Sequence, residues 1–239
     1  SGNIWCASNK GISRFDGVTW TTYNNIIGQA GVGFPFIRCD ENGDIWTISH
    51  FNRLNINVFR NGKWETYLSE VNSNIDNVFR GFDVYHEEGR TIIVAATSTQ
   101  GVFIHKDGFW RHFPLRREIP GTKILNAILY NKTVYIATDL GVSRLSGNQV
   151  DRMPKLNARL PPGGLYAIGK DESRRYAPGK EVLWLMGKGW VGYAVGDQFH
   201  LVRDKIKMST DEYHGMIYAA DNEIYFGTLR QLFRITLPK

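Results

Sequence analysis

A short pattern at the start of the chain decides the fold: GNIWCAS at residues 2–8, KGISRFDG at residues 10–17 and VTWTTY at residues 18–23. The same order returns as GDIWTIS at residues 43–49 and FRNGKWETY at residues 59–67. Across all copies, the anchors of the second strand are Trp5, Trp46, Val94, Tyr135, Trp184 and Tyr225. Successive anchors are 41, 48, 41, 49 and 41 residues apart by subtraction. Spacings of about 40 to 50 residues are typical of four-stranded propeller blades.

Each copy divides into the same four segments. A first strand is followed by a tight turn and then by the Ile-Trp strand, which is apolar on both faces and should lie between two neighbouring blades. A short loop then ends in a glycine, and the third strand that follows ends in Asp-Gly or Asn-Gly, a strong hairpin signal. The fourth strand begins with a tryptophan that we expect to pack against the neighbouring blade. These tryptophans are Trp20, Trp64 and Trp110.

The repeat predicts an all-β chain, a β-propeller of about six four-stranded blades within a single domain of residues 1–239. The first copy lacks its inner strand, and the last copy, residues 215–237, lacks an outer strand. We therefore expect incomplete terminal blades. Because open rings expose strand edges, either the six blades nearly close or the chain is a portion of a larger propeller.

Composition excludes several classes of protein. Hydrophobic residues make up 42% of the chain, which is enough to build a core and excludes a disordered protein. The net charge is 29 − 23 = +6, a mild excess that favours anionic ligands. No apolar run approaches the roughly 20 residues that span a bilayer. The chain opens with Ser rather than Met, so we expect an excised piece or a mature region.

The copies resemble the two-component regulator propeller repeat. The first copy matches best, with its G-x-I-W strand at residues 2–5, GISRFDG at residues 11–17 and W-x-x-Y at residues 20–23. The second and fourth copies keep Asp40, Gly43, Ile45, Trp46 and Tyr67, and Thr138, Gly141 and Arg144. The resemblance spans the chain, although the fifth and sixth copies are eroded.

This resemblance implies the extracytoplasmic sensing region of a bacterial hybrid histidine kinase or a related regulator. We expect a ligand-sensing propeller that recognises a glycan or an anionic small molecule, in the periplasmic or extracellular part of a membrane-anchored protein. Its partner within the full-length parent would be a kinase or another signalling domain. The family supplies no catalytic residue and no cofactor, so we do not expect an enzyme. A protein-interaction scaffold is the alternative, and a propeller lyase or hydrolase is a third reading.

The expected binding face is formed by the loops that lead from each outer strand to the next inner strand, because these loops are long and unequal. Together with the loops after the second strands, they contribute Phe34, Phe51, Arg80, Lys123, Tyr166, Trp190, His214 and Arg230. Aromatic side chains beside Arg and Lys suit a sugar acid or another anionic ligand. The alternative is that Phe34, Tyr166 and Trp190 fill the propeller centre as core.

Other chemical signals are weak. Aspartates such as Asp16 lie in Asp-Gly turns, where an Asx turn explains them. The histidine and cysteine spacings match no metal motif, so no metal site is expected. The basic cluster Lys170, Arg174, Arg175 and Lys180 reads as solvated loop charge, and no signature of nucleic-acid binding is present. We predict that Cys6 and Cys39 are buried free thiols, and a disulfide between the two blades is the alternative. The sequence leaves open whether the protein forms a homodimer.

Overall fold

The computed structural model describes residues 2–8, 11–26, 29–30, 36–50, 53–71, 74–75, 78–171, 179–206, 217–220, 223–227 and 232–236. Within these residues the strands form six consecutive sheets of three or four strands and one separate two-stranded hairpin, and in each of them every strand pairs with the next strand along the chain. The four-stranded sheets are the second to the fifth, whereas the first and sixth have three strands each. The prediction of about six blades with incomplete terminal blades is therefore confirmed.

The first three sheets occupy residues 4–114. Sheet one contains β1 (Ile4–Ser8), β2 (Gly11–Phe15) and β3 (Trp20–Tyr23), and a hairpin of β4 (Asn25–Ile26) and β5 (Gln29–Ala30) follows it. Sheet two contains β6 (Phe36–Cys39), β7 (Ile45–His50), β8 (Arg53–Arg60) and β9 (Lys63–Val71). Sheet three contains β10 (Phe79–Glu87), β11 (Arg90–Thr97), β12 (Gly101–Lys106) and β13 (Phe109–Pro114).

The remaining sheets occupy residues 124–236. Sheet four contains β14 (Ile124–Tyr130), β15 (Thr133–Thr138), β16 (Gly141–Ser146) and β17 (Gln149–Asp151), and the short helix α1 (Pro154–Asn157) follows it. Sheet five contains β18 (Leu165–Lys170), β19 (Val182–Gly187), β20 (Trp190–Val195) and β21 (Gln198–Arg203). Sheet six contains β22 (Ile217–Ala220), β23 (Glu223–Gly227) and β24 (Leu232–Thr236).

The chain divides into two compact units. One comprises Ser1–Thr97 with Phe103–Arg111, and the other comprises Ser98–Val102 with His112–Lys239. In the first unit, sheets two and three bury Trp46, Ile56, Phe82 and Ile93 against one another. In the second unit, sheets four and five share one apolar cluster, and sheets five and six share another. Each core thus lies between consecutive sheets, as the two-sided apolar second strands predict.

The turn before β7 shows why Asp, Gly and Trp recur at fixed spacing in the repeat. The buried Asp40 carboxylate accepts hydrogen bonds from the backbone amides of Asn42 (3.0 Å) and Asp44 (2.9 Å). Its second oxygen accepts from Trp46 Nε1 at 2.7 Å and lies 2.8 Å from His86 Nε2 in sheet three. Asp40 therefore closes its own turn, orients the anchor indole and links two sheets.

These hydrogen bonds also decide the charge state of Asp40. Burial alone raises the pKa of its carboxyl, but the hydrogen bonds from His86, Trp46, Asp44 and Asn42 outweigh burial and hold the pKa below its ordinary value. The carboxylate is therefore stabilised as an anion inside the sheet packing.

The glycines that open the third strands are required by both backbone conformation and space. Gly11, Gly101 and Gly141 share φ values of 134°, 120° and 123°. A Cβ at Gly101 would lie 2.1 Å from the carbonyl oxygen of Phe113, and one at Gly11 would lie 2.4 Å from that of Tyr23. A side chain at either position would collide with the backbone of the fourth strand.

We expect Gly101→Ala to lower the free energy of unfolding by about 2–4 kcal/mol, because backbone strain adds to the collision. The matched control is Gly108→Ala, since Gly108 also has a positive φ (82°) but its Cβ would meet no atom within 4 Å. That change should lower the free energy of unfolding by about 1–2 kcal/mol, from backbone strain alone. Urea denaturation followed by circular dichroism measures both, and equal losses would contradict the steric explanation.

The structure corrects two expectations about side chains. Trp64 and Trp110 pack against the preceding sheet, but Trp20 is 56% exposed. Cys6 and Cys39 are free thiols, but both are exposed rather than buried. Cys6 lies in sheet one, as Trp20 does, and Cys39 is the last residue of a first strand.

Candidate functional site

The structure describes four of the eight residues that the sequence predicts for the binding face. Arg80 is the second residue of β10 and is partly buried, and Lys123 directly precedes β14 and is exposed. Tyr166 is the second residue of β18, and Trp190 is the first residue of β20. The others, Phe34, Phe51, His214 and Arg230, lie outside the described residues.

Lys123 is carried by a loop that a carboxylate holds in place. Asp139 accepts hydrogen bonds from the backbone amide of Thr122 at 2.8 Å, from its hydroxyl at 2.6 Å and from the Lys123 amide at 3.3 Å. Burial raises the pKa of Asp139, but these hydrogen bonds outweigh burial and lower it below its ordinary value. Lys123 and Tyr166 stand at the same end of two first strands, β14 and β18, that lie against each other.

The two aromatic residues are packing residues in the structure. Trp190 is buried, with its ring centroid 5.5 Å from that of Phe199 in an edge-to-face arrangement, inside the cluster between sheets four and five. Tyr166 is partly buried and packs against the cluster of Trp184 and Met186. The ligand-binding roles of Arg80, Lys123, Tyr166 and Trp190 stay predictions.

A cleft lined by both charged and apolar side chains lies elsewhere in the second unit, between sheets four and five. Its volume is about 400 Å³, within the range of small-molecule sites. The cleft is lined by Tyr135, Arg144, Met153, Lys180, Glu181, Leu183, Val195 and Gly196. The four described residues of the predicted face, Arg80, Lys123, Tyr166 and Trp190, do not belong to this lining.

A phenol and a carboxylate in the cleft lining are joined by a hydrogen bond. Tyr135, the anchor of sheet four, donates a hydrogen bond from its hydroxyl to Glu181, which precedes β19 of sheet five. Burial, and then this hydrogen bond, raise the pKa of Tyr135 far above its ordinary value. The phenol is therefore a permanent donor, and Glu181 is a carboxylate acceptor in a partly buried position.

Two cations border the same cleft. Arg144 faces Tyr135 across the β15–β16 pair, and its guanidinium contacts Asp151 Oδ2 through Nε at 3.0 Å and Nη2 at 2.9 Å. Lys180 is exposed, and among the described residues no carboxylate forms an ion pair with it. The cleft thus offers one ammonium group whose charge the described residues leave unpaired, beside a fixed guanidinium.

The arrangement can bind a small polar anion. The Lys180 ammonium and the outer edge of Arg144 can donate charge-assisted hydrogen bonds to a carboxylate. Glu181 can accept hydrogen bonds from hydroxyl groups, and Met153, Leu183 and Val195 supply an apolar wall. Such a donor and acceptor set fits a hydroxylated acid of sugar size.

Sequence reasoning missed this cleft. The repeat pattern identifies Tyr135 only as a strand anchor and Arg144 only as a repeat position. The sequence predicts Lys180 to be a solvated loop charge, and it predicts no cleft at this place. Tyr135 and Glu181 are 46 residues apart, and their meeting depends on how two sheets pack. An ionisable residue directly before a second strand was the one available signal.

The described residues hold no group of three or more His, Cys, Asp or Glu side chains placed to bind a metal ion. No helix in the same part of the chain is long and apolar enough to cross a membrane.

Comparison with solved structures identifies the fold. The extracellular domain of the proposed one-component system BT4673 from B. thetaiotaomicron matches 98% of this chain and 30% of its own, with a TM-score of 0.67 and 15% identity. The chain has a β-propeller fold. A second structure, the extracellular domain of BT4673 as a proposed hybrid two-component system, matches this propeller over 99% of its length and 32% of its own, with a TM-score of 0.63 and 15% identity.

A third match is a different protein. YCF48 bound to a D1 peptide covers 98% of the propeller and 74% of its own chain, with a TM-score of 0.62 and 11% identity. No family model matches the chain. No curated protein matches it either. The propeller spans about 30% of the BT4673 domains it matches. The resemblance to two-component regulator propellers is thus confirmed at the level of the fold.

Proposed function

We propose that this propeller is a non-enzymatic sensor domain of a bacterial two-component-type regulator, which binds a small hydroxylated acid, such as a sugar acid, outside the cytoplasm. The observation that carries the proposal is the cleft between sheets four and five, where Tyr135, Arg144, Lys180 and Glu181 surround about 400 Å³. The likeness to extracellular domains of BT4673 supports the sensor context. The signalling partner would be a kinase or another domain of the full-length protein.

A thermal-shift screen of residues 1–239 against glycans and organic acids tests the proposal. A ligand that binds only the folded chain stabilises it by about 2.7 kcal/mol at a hundredfold excess over Kd, so the melting temperature should rise. We expect hydroxylated monocarboxylic acids to raise it and their neutral parent sugars to have little effect. A screen in which no acid or glycan shifts the melting temperature would contradict the sensor proposal.

The position of the site is tested by Lys180→Ala. We expect at least a tenfold loss of affinity for the acid found in the screen, since a hydrogen bond to a charged group contributes about 1.5–3 kcal/mol. The matched control is Lys155→Ala, because Lys155 is exposed on α1 and does not line the cleft. Isothermal titration calorimetry measures both affinities. If Lys180→Ala binds like the control, while Arg80→Ala and His214→Ala weaken binding, the ligand occupies the loop face instead.

A protein-interaction scaffold is the second candidate function. It is favoured by the match to YCF48 bound to a D1 peptide, which shows a propeller of this fold holding a polypeptide segment. The screen separates the two candidates, because a scaffold would show no stabilisation by small acids.

A further inference from the structure

The charges at the cleft between sheets four and five balance. Among the described residues, two cations and one anion line the cleft, and a second anion pairs with one of the cations: these are Arg144, Lys180, Glu181 and Asp151. A cleft that selects an anion by charge alone carries a net positive charge. This cleft does not, so its charges are suited to a ligand that carries both signs.

The charge of Arg144 is compensated within sheet four. Asp151 Oδ2 lies 3.0 Å from Arg144 Nε and 2.9 Å from Nη2, and Asp151 Oδ1 accepts a hydrogen bond from the Met153 amide at 2.9 Å. The bond from Met153 fixes the orientation of the carboxylate, so its charge stays beside the guanidinium. Arg144 can still donate hydrogen bonds to a ligand, but it brings no uncompensated charge to the cleft.

Lys180 and Glu181 are the two uncompensated charges, and their signs are opposite. They are adjacent in the chain, immediately before β19, and both line the cleft. No ion pair joins them, and in the part of the chain that the structure describes neither side chain has another ion-pair partner. The cleft therefore presents both an ammonium group and a carboxylate to whatever it binds.

The hydrogen bond from Tyr135 keeps Glu181 in its charged form. A carboxylate that accepts a hydrogen bond is favoured over the protonated acid, and the raised pKa of Tyr135 means that the phenol retains the proton it donates. Glu181 is partly buried, where an unpaired charge is costly. Because this carboxylate has no other hydrogen-bond partner among the described residues, a cationic group of a ligand would compensate it.

We propose that the ligand of the cleft is a zwitterion, a hydroxylated amino acid such as an amino-sugar acid, whose ammonium group binds Glu181 and whose carboxylate binds Lys180. This inference rests on the proposed function, because it narrows the class of acid that the same cleft binds. An acid without an amine is attracted by Lys180 and repelled by Glu181, whereas a zwitterion is attracted by both. Arg144 then serves the hydroxyl groups, and the apolar wall contacts the carbon chain.

Two acids that differ in one group test the inference without any substitution in the protein. D-gluconic acid carries a hydroxyl group on the carbon next to its carboxylate, and D-glucosaminic acid carries an ammonium group there at about pH 7. In isothermal titration calorimetry on residues 1–239, we expect D-glucosaminate to bind at least about tenfold more tightly, since it forms a second charge-assisted hydrogen bond. Equal or tighter binding of D-gluconate would overturn the inference and leave the proposed function standing.

Glu181→Gln tests which residue recognises the ammonium group. The amide oxygen still accepts the hydrogen bond from Tyr135 but carries no charge, so the affinity for D-glucosaminate should fall at least about tenfold while that for D-gluconate stays equal or rises. The matched control is Asp204→Asn, which removes the same charge at an exposed position after β21, outside the cleft lining, and should keep the preference. A preference for D-glucosaminate that survives Glu181→Gln would overturn the inference.

D-Glucosamine, which has the ammonium group but no carboxylate, tests the other end of the ligand. We expect it to bind at least about tenfold more weakly than D-glucosaminate, because it leaves the Lys180 ammonium without a partner. Equal binding of the two compounds would overturn the inference. Binding of none of the three compounds would overturn it as well, and the screen against glycans and organic acids then shows separately whether the proposed function also fails.

Discussion

Trp46→Ala is expected to lower the free energy of unfolding by about 3–5 kcal/mol, the range for truncation of a fully buried aromatic side chain. Trp46 has no exposed surface and packs between sheets two and three. Its ring also lies 5.0 Å from that of Tyr67, and its Nε1 donates to Asp40. The substitution therefore leaves a cavity and an orphaned carboxylate hydrogen bond at the same interface.

The matched control for this effect is Trp20→Ala in residues 1–239. Both tryptophans lie on repeat strands, Trp46 on the second strand of its copy and Trp20 on the fourth strand of its copy. Trp20 is mostly exposed, so its truncation should lower the free energy of unfolding by no more than about 1 kcal/mol. Urea denaturation followed by far-ultraviolet circular dichroism compares the two. Losses below about 1 kcal/mol for both variants would show that the anchor strand is not buried between sheets.

Asp40→Ala is expected to lower the free energy of unfolding by about 2–4 kcal/mol at pH 7, because the substitution leaves three hydrogen-bond donors, one of them the buried Trp46 indole, without their acceptor. The donors are Trp46 Nε1 and the amides of Asn42 and Asp44, and the substitution also removes the contact with His86. Asp204→Ala is the control, since Asp204 is exposed after β21 and should change the free energy by less than about 0.5 kcal/mol.

The effect of Asp40→Ala should depend on pH in a definite direction. The pKa of Asp40 is lowered in the folded chain, so its stabilisation is complete above the ordinary aspartate pKa and is lost as the pH falls through the folded value. The difference in unfolding free energy between the unsubstituted chain and the variant should therefore shrink from pH 5 to pH 3. A difference that stays constant or grows over this interval would contradict the assigned hydrogen bonds.

The repeat made most of the fold predictable. The apolar runs around Trp46 and Trp184 predict second strands buried on both faces, and Asn61-Gly62 predicts the β8–β9 hairpin, where both residues have positive φ. These features are local, since a strand or a two-residue turn is decided by neighbouring residues. The same locality explains the Asp40 turn, in which all but the His86 contact lie within six residues.

The environment of single side chains was less predictable. Cys6 and Trp20 have the residue types of buried positions, yet they are exposed, because burial depends on which sheet lies opposite and the residues themselves do not encode it. The cleft was even less predictable from the sequence. Tyr135, Arg144 and Glu181 come from two sheets, and their convergence depends on the packing angle and register of both.

A crystal structure of residues 1–239 tests the central claim most directly. The account predicts Trp46 and Trp184 on second strands, each buried between two consecutive antiparallel sheets, with the Trp46 indole donating to Asp40. Finding these tryptophans in helices, or on the surface of one flat sandwich, would contradict it.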